Sequence, residues 1–173
     1  MALDEIPMSE IEIRPATTAD TAGLGKLAAE LVDLHYRFDP LRFIQIPNAA
    51  VGYGRFLGSR AGDPKAFVLV AAEGDKVVGY TYAAMEGKDW NDLRDPAGML
   101  HDIYVDAPER RKGVARRLAL ATFARLEEMG APRIVLKTAA KNEIAQKFFA
   151  SLGFRETMIE MTREATGASS VEK

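Results

Sequence analysis

The stretch Met99 to Leu118, MLHDIYVDAPERRKGVARRL, restricts the fold more than any other part of the chain. A β-type run stops at Asp106 and Pro108, five basic side chains surround Gly113, and a helical pattern follows. The first turn of a helix carries unpaired N–H groups and the positive end of the backbone dipole, so a strand that feeds one through a short loop builds an anion site. Gly113 leaves the backbone open to close approach. Arg110, Arg111, Lys112 and Arg116 add charge suited to a pyrophosphate. A solvated helix face is the bland alternative, and for Arg117 and Arg125 it is the preferred one.

The rest of the chain alternates strands and helices around this unit. IEIRPAT, from Ile11, predicts a short strand. Thr17 and Thr18 can cap a helix over Thr21–Phe38, in which Leu24, Leu27, Leu31 and Leu34 recur at three- and four-residue spacing. A second helix is expected over about Asn48–Ser59. Ala66–Glu73 and Lys76–Glu86, joined by Gly-Asp, predict an antiparallel hairpin. Gly87–Gly98 is loop-like and Met99–Val105 a strand. A helix should run from Gly113 or Val114 to Gly130, with Pro132 beyond. RIVLKTA, the helix EIAQKFFASL behind Asn142, and a last strand FRETMIEMTR complete the order. The class is α/β (α+β) with a mixed sheet. One domain is expected over residues 1–173, ordered from about 11 to 163, with a frayed polar tail over 164–173.

Composition narrows the function classes. A chain of 173 residues with 47% apolar content can bury a core without staples. The absence of cysteine excludes disulfides, zinc–thiolate sites and a nucleophilic thiol, and His35 and His101 cannot alone hold a metal. The net charge of −2 argues against a general nucleic-acid binder, so the basic cluster is read locally. The N-terminal MALDEIPMSEIEIRP lacks the apolar run of a leader, and no segment is apolar enough to cross a bilayer. A cytoplasmic protein without membrane or nucleic-acid partners is the expectation.

Three other anion motifs fail. "KGVA" lacks the Lys-Ser/Thr of a Walker loop. "GYGRFLG", Gly52 to Gly58, has its last glycine one residue late for a dinucleotide fingerprint and no strand before it. A helix-turn-helix reader needs a helix where Met99–Val105 predicts a strand.

Arg110-x-x-Gly113-x-Ala115 fits the Gln/Arg-x-x-Gly-x-Gly/Ala motif of the GNAT superfamily, the acyl-coenzyme A-dependent N-acyltransferases. LHDIYVDAPERRKGVARRL resembles that family's strand-loop-helix core, and NEIAQKFFASLGF resembles its later Asn-x-x-Ala helix. The resemblance implies a mixed, mostly antiparallel sheet of six to seven strands with about four helices and a splayed central parallel pair. It implies acetyl-CoA as cosubstrate and no metal. Pantetheine would lie along the strand at Ile103, Tyr104 and Val105, bonded to the main chain. The amides and side chains of Arg110, Arg111, Lys112, Gly113, Val114, Ala115 and Arg116 would take the pyrophosphate. Asn142 would contact the coenzyme arm, with Ala145 and Phe148 packed beside it. Asn142 serves equally as a helix cap.

The implied reaction is direct transfer of acetyl to a small-molecule or protein amine in a ternary complex. His101 matches a strand position at which spermidine/spermine-type members carry a glutamate, and Asp102 follows as it does there. An imidazole of ordinary pKa ~6.5 suits a base at neutral pH. The family's usual acid is a tyrosine where this chain has Phe149, so Tyr104, Tyr82 or a water would replace it, or the thiolate departs unaided. The acceptor side offers His35, Tyr36, Asp39, Glu86, Asp89, Trp90 and Asp92, several of them carboxylates that suit a cationic amine. Phe149 also favours a rival: a catalytically weak acyl-CoA-binding sensor of the same fold. Many members end in a strand hairpin, whereas only one further strand is predicted here, so an exposed edge and a homodimer are expected.

Overall fold

Strand pairing in this protein follows chain order. The computed structural model describes residues 10–165; the leader reading of residues 1–9 and the tail over 166–173 lie outside the described residues. Strands β1 (Glu12–Pro15), β2 (Ala66–Glu73), β3 (Lys76–Glu86), β4 (Ala97–Val105) and β5 (Ile134–Leu136) form one sheet in the order β1-β2-β3-β4-β5. The first three pairings are antiparallel and the last is parallel. Helices α1 (Thr21–Phe38) and α2 (Ala49–Ser59) connect β1 to β2, α3 (Val114–Glu128) crosses from β4 to β5, and α4 (Glu143–Ser151) follows.

Both faces of the sheet are covered, so β2 and β3 read as nearly continuous apolar runs rather than clean alternations. On one face Leu24 and Leu27 of α1 and Leu57 of α2 pack on Val70 and Tyr80. On the other, Val114 and Leu118 of α3 pack on Val78 and Val105. Full burial of one such leucine is worth about 1.5–3 kcal/mol, so the helices are held by their apolar faces. Gly25 of α1 and Gly54 of α2 have a packing role. A Cβ on Gly25 would stand 2.1 Å from the Ala50 carbonyl oxygen, and one on Gly54 would stand 2.8 Å from that of Thr21. The "GYGRFLG" run is therefore a helix–helix contact.

Two irregularities in β4 position the site. Its antiparallel ladder with β3 shifts register: Tyr82 pairs Asp102 while Ala83 pairs Leu100, so His101 has no partner and bulges. Its parallel ladder with β5 covers only Gly98, Met99 and Leu100, although β4 continues to Val105. The two strands part beyond Leu100, which is the splayed pair.

The sheet has five strands rather than six or seven. The strand predicted over Phe154–Arg163 is absent: that segment pairs with no strand and is tied instead by the Arg42–Glu160 ion pair. Met158, Ile159 and Met161 stand exposed along it. Alternating apolar residues give a segment the capacity to pair, but a partner edge must lie within reach. β5 is also shorter than RIVLKTA, and β4 begins two residues earlier than predicted. Among the described residues no helix is long and apolar enough to cross a membrane.

Candidate functional site

The cradle begins where β4 ends. Asp106 donates its N–H to Val78 O, a short 3-10 turn covers Ala107–Glu109, and α3 starts after Gly113. Gly113 has φ +81° and ψ 0°, a left-handed conformation that suits glycine. Arg111 also has a positive φ, +65°, an arrangement that costs a non-glycine residue about 1 kcal/mol or more. Together these turns present consecutive N–H groups from Arg111 through Arg116, none of which has an intrachain partner among the described residues. Nothing lies within 4 Å of where a Gly113 Cβ would be, so space remains in front of them. A row of free donors at a helix start with this charge fits a pyrophosphate.

The gap between β4 and β5 opens into a cavity of about 250 Å³, with Leu100, Ile103, Leu136 and Thr138 on its strand side. Asn142, Ala145 and Phe149 of the α4 region close one wall, and Leu31, His35 and Phe43 another. Ile103 and Val105 pack toward α3, which leaves the β4 main chain facing the gap. Asn142 Oδ1 accepts from Ala145 N at 3.1 Å, so the cap reading holds while the residue also borders the cavity. A second depression of about 390 Å³, at Lys65, Met85, Glu86 and Met129, lies outside the gap and away from the cradle.

His101 and Asp102 project to the same face of the sheet because of the bulge. Asp102, 9% exposed, accepts hydrogen bonds on Oδ2 from Tyr53 (3.0 Å) and Tyr80 (3.1 Å). Burial raises its carboxyl above the ordinary aspartate value, opposed by the two tyrosine hydrogen bonds and by the nearby His101 and His35. Burial and the Asp102 charge push the Tyr53 hydroxyl up, so it stays protonated and donates. The His101 ring stacks on Tyr82, centroids 4.9 Å apart, and its Nε2 lies 3.1 Å from Glu86 Oε1. Arg94 holds the other Glu86 oxygen at 2.9 Å. The Glu86 carboxylate accepts the Nε2 proton, and Nδ1 is the ring nitrogen without a hydrogen-bond partner among the described residues. His35 has its Nδ1 2.9 Å from Leu31 O, which can only accept, so its Nε2 is the free nitrogen.

The structure brings His35, His101, Asp102, Ile103, Asn142 and Ala145 to one cavity. It does not bring Tyr104, Tyr36, Trp90 or Phe148 to it. Tyr104 bonds Arg110 through its hydroxyl at 2.9 Å, and Arg110 also donates from Nε to Val105 O. Arg110 thus braces the end of β4, and the charge at the cradle falls to Arg111, Lys112 and Arg116. Lys112 pairs with Glu109 at 3.0 Å. Arg117 is more than a solvated face: it donates to Ile11 O at 2.7 Å. Trp90 is 76% exposed beneath Lys88. Glu86 holds His101 instead of lining this cavity. Asp39 and Asp89 accept from their own loop backbones, and Asp92 pairs with Lys137. Sequence alone misses Tyr53 and Arg94, because each reaches the site only through tertiary contact. Among the described residues no group of three or more His, Cys, Asp or Glu could hold a metal ion.

Comparison with known proteins agrees with this fold. A family model described as "Acetyltransferase (GNAT) family" matches residues 29–154. The mycothiol acetyltransferase of Nocardia farcinica is 28% identical over 108 residues, 61% of this chain and 34% of that protein. That of Thermobispora bispora is 32% identical over 62% of this chain and 32% of that protein. The chain thus spans about a third of the length of these relatives. Among solved structures, a Bacillus halodurans protein crystallised as a tetramutant matches with a TM-score of 0.77 at 22% identity, over 89% of this chain and 99% of that one. The aminoglycoside N-acetyltransferase AAC(6′)-Iy in complex with CoA matches with a TM-score of 0.68 at 21% identity, over 91% and 95%. At these identities the structures share the fold.

Proposed function

The chain belongs to the GNAT acetyltransferase family, and from that premise we propose that it transfers an acetyl group from acetyl-CoA to a primary amine by direct attack within a ternary complex. The observation that carries the proposal is the row of free N–H groups from Arg111 through Arg116, set beside the parted β4–β5 pair. The row suits the pyrophosphate, with Arg111, Lys112 and Arg116 supplying charge. The β4 edge at Ile103, Tyr104 and Val105 has no β5 partner, although Arg110 already takes Val105 O, and it suits the amide-bearing pantetheine arm, which can be bonded like an added strand. One free N–H of that edge would polarise the thioester carbonyl and stabilise the oxyanion as it forms.

The amine arrives as an ammonium and must lose a proton; for a pKa of ~10.4 this costs about 4.6 kcal/mol at pH 7. In this mechanism Asp102 receives the cation and His101, oriented by Glu86, accepts the proton through Nδ1. The N–C bond forms as the C–S bond breaks. The sulfur leaves as a thiolate of ordinary pKa ~8.5, which departs unaided or takes a proton from water. Phe149 borders the cavity where the family's tyrosine is expected and has no proton to give, and Tyr104, whose hydroxyl accepts from Arg110, does not line the cavity.

A melting-temperature screen tests the premise. Acetyl-CoA at a hundred times its Kd adds about 2.7 kcal/mol of stability, whereas no shift at millimolar acetyl-CoA overturns the proposal. Phe149 favours a second reading, an acyl-CoA sensor that binds without efficient turnover; free-thiol release with a panel of amines separates the two. A homodimer is the proposed assembly, since β5 has an unpaired outer edge among the described residues. Sedimentation at micromolar concentration tests it.

A further inference from the structure

The cavity at the β4–β5 gap has one acidic lining residue, Asp102. Both tyrosine hydroxyls bond its Oδ2, and among the described residues Oδ1 has no hydrogen-bond partner. The carboxylate is nine-tenths buried and its second oxygen is open to solvent, so it can receive a single cationic donor. The walls nearest α1 carry no second anion. They are Leu31, Val32, Phe43, Ile44 and Ile46, and Ile44 stands 63% exposed without a covering group.

The loop carboxylates that would welcome a polycation do not line this cavity. Asp39 and Asp89 satisfy their own turns and Asp92 faces Lys137. The space is also small. The whole gap-side cavity is about 250 Å³, on the order of eight water molecules at ~30 Å³ each, and in the acetyl-transfer reading the thioester end of the coenzyme arm shares it with the amine.

We infer that the acceptor is a small primary monoamine with an apolar body, its ammonium on Asp102 Oδ1 and its hydrocarbon against Phe43, Ile44 and Ile46. The inference rests on the acetyl-transfer reading above. It sets this site apart from one shaped for a polyamine or a polyhydroxylated aminosugar, because an unsatisfied hydroxyl against these walls is penalised while a methylene gains. His35 adds its free Nε2 as a polar group on the α1 side.

The test uses the full chain and begins with calorimetric titration of acetyl-CoA, which reads the cradle independently of any amine. At saturating acetyl-CoA, kcat/KM from thiol release is then compared for hexylamine and phenethylamine against spermidine, kanamycin and glucosamine. The monoamines are expected to lead by tenfold or more. Calorimetry of phenethylamine in the presence of CoA gives a readout apart from turnover. Asp102→Asn should abolish that heat while acetyl-CoA affinity is unchanged, and Ile44→Asp should raise the phenethylamine KM tenfold while improving spermidine. Preference for spermidine, kanamycin or glucosamine, or acetyl-CoA binding with no monoamine turned over, overturns the inference and leaves the cradle standing. Failure to bind acetyl-CoA overturns both.

Discussion

Tyr53, on the second helix, donates to Asp102 Oδ2 across 3.0 Å and 49 residues of sequence. With Tyr80 it holds one oxygen of a buried carboxylate and leaves the other toward the cavity. This contact joins the α1–α2 layer to the bulged strand.

Tyr53→Phe tests the coupling. The Tyr53 hydrogen bond favours the ionised carboxyl, so its removal raises the Asp102 pKa further. The acid limb of the kcat/KM pH profile should move to higher pH, with loss of about 1 kcal/mol of stability. An unmoved limb would show that Asp102 does not govern amine binding.

His101→Ala should lower kcat by about 10²–10⁴ while acetyl-CoA affinity holds. Equal turnover across pH 6–9 would exclude His101 as the base. The parallel variant His35→Ala then decides between the two imidazoles, since His35 also has a free ring nitrogen at the cavity.

Gly113→Val should weaken acetyl-CoA by about tenfold or more. A branched side chain at φ +81° costs about 1–3 kcal/mol and crowds the row of N–H groups, and losing one charge-assisted hydrogen bond accounts for the tenfold. Calorimetry reads the affinity, and a melting curve confirms that the variant folds. Unchanged affinity would remove the cradle from the binding site.

Phe149→Tyr should leave acetyl-CoA affinity nearly unchanged, because Phe149 borders the cavity from α4 and lies away from the cradle. If thiolate protonation limits turnover, kcat rises in the same variant. A large loss of coenzyme binding would contradict the position of that helix.

Acid stability should report Asp20, whose carboxyl is held at about 2 rather than 3.8 by the Arg14 hydrogen bonds first, against burial, with further help from Thr17. A depressed folded pKa gives stability that is present above about pH 4 and lost as pH falls toward 2. Asp20→Asn should cost about 1–3 kcal/mol at pH 7 and flatten that acid limb in denaturation curves.

Local features were legible in the sequence because their causes are local. Leucine spacing marked α1, the Gly-Asp pair marked the β2–β3 turn, and Gly113 with its basic neighbours marked the cradle, each within a few residues. Phe154–Arg163 shows the limit: its pattern permits a strand, yet no edge of the sheet takes it up. Arg110 shows another. Composition groups it with the cradle, but Val105 O and the Tyr104 hydroxyl claim its guanidinium.

What the chain determined by itself is the order of elements and an anion-ready helix start, since backbone sterics and side-chain periodicity act over a turn or two. What tertiary structure decided is the chemistry of the cavity. Strict alternation would send His101 and Asp102 to opposite faces of the sheet; one unpaired residue in the β3–β4 ladder turns both toward Tyr53, Tyr80 and Tyr82. Register depends on how two distant strands twist and pack together, and no window of sequence contains that information.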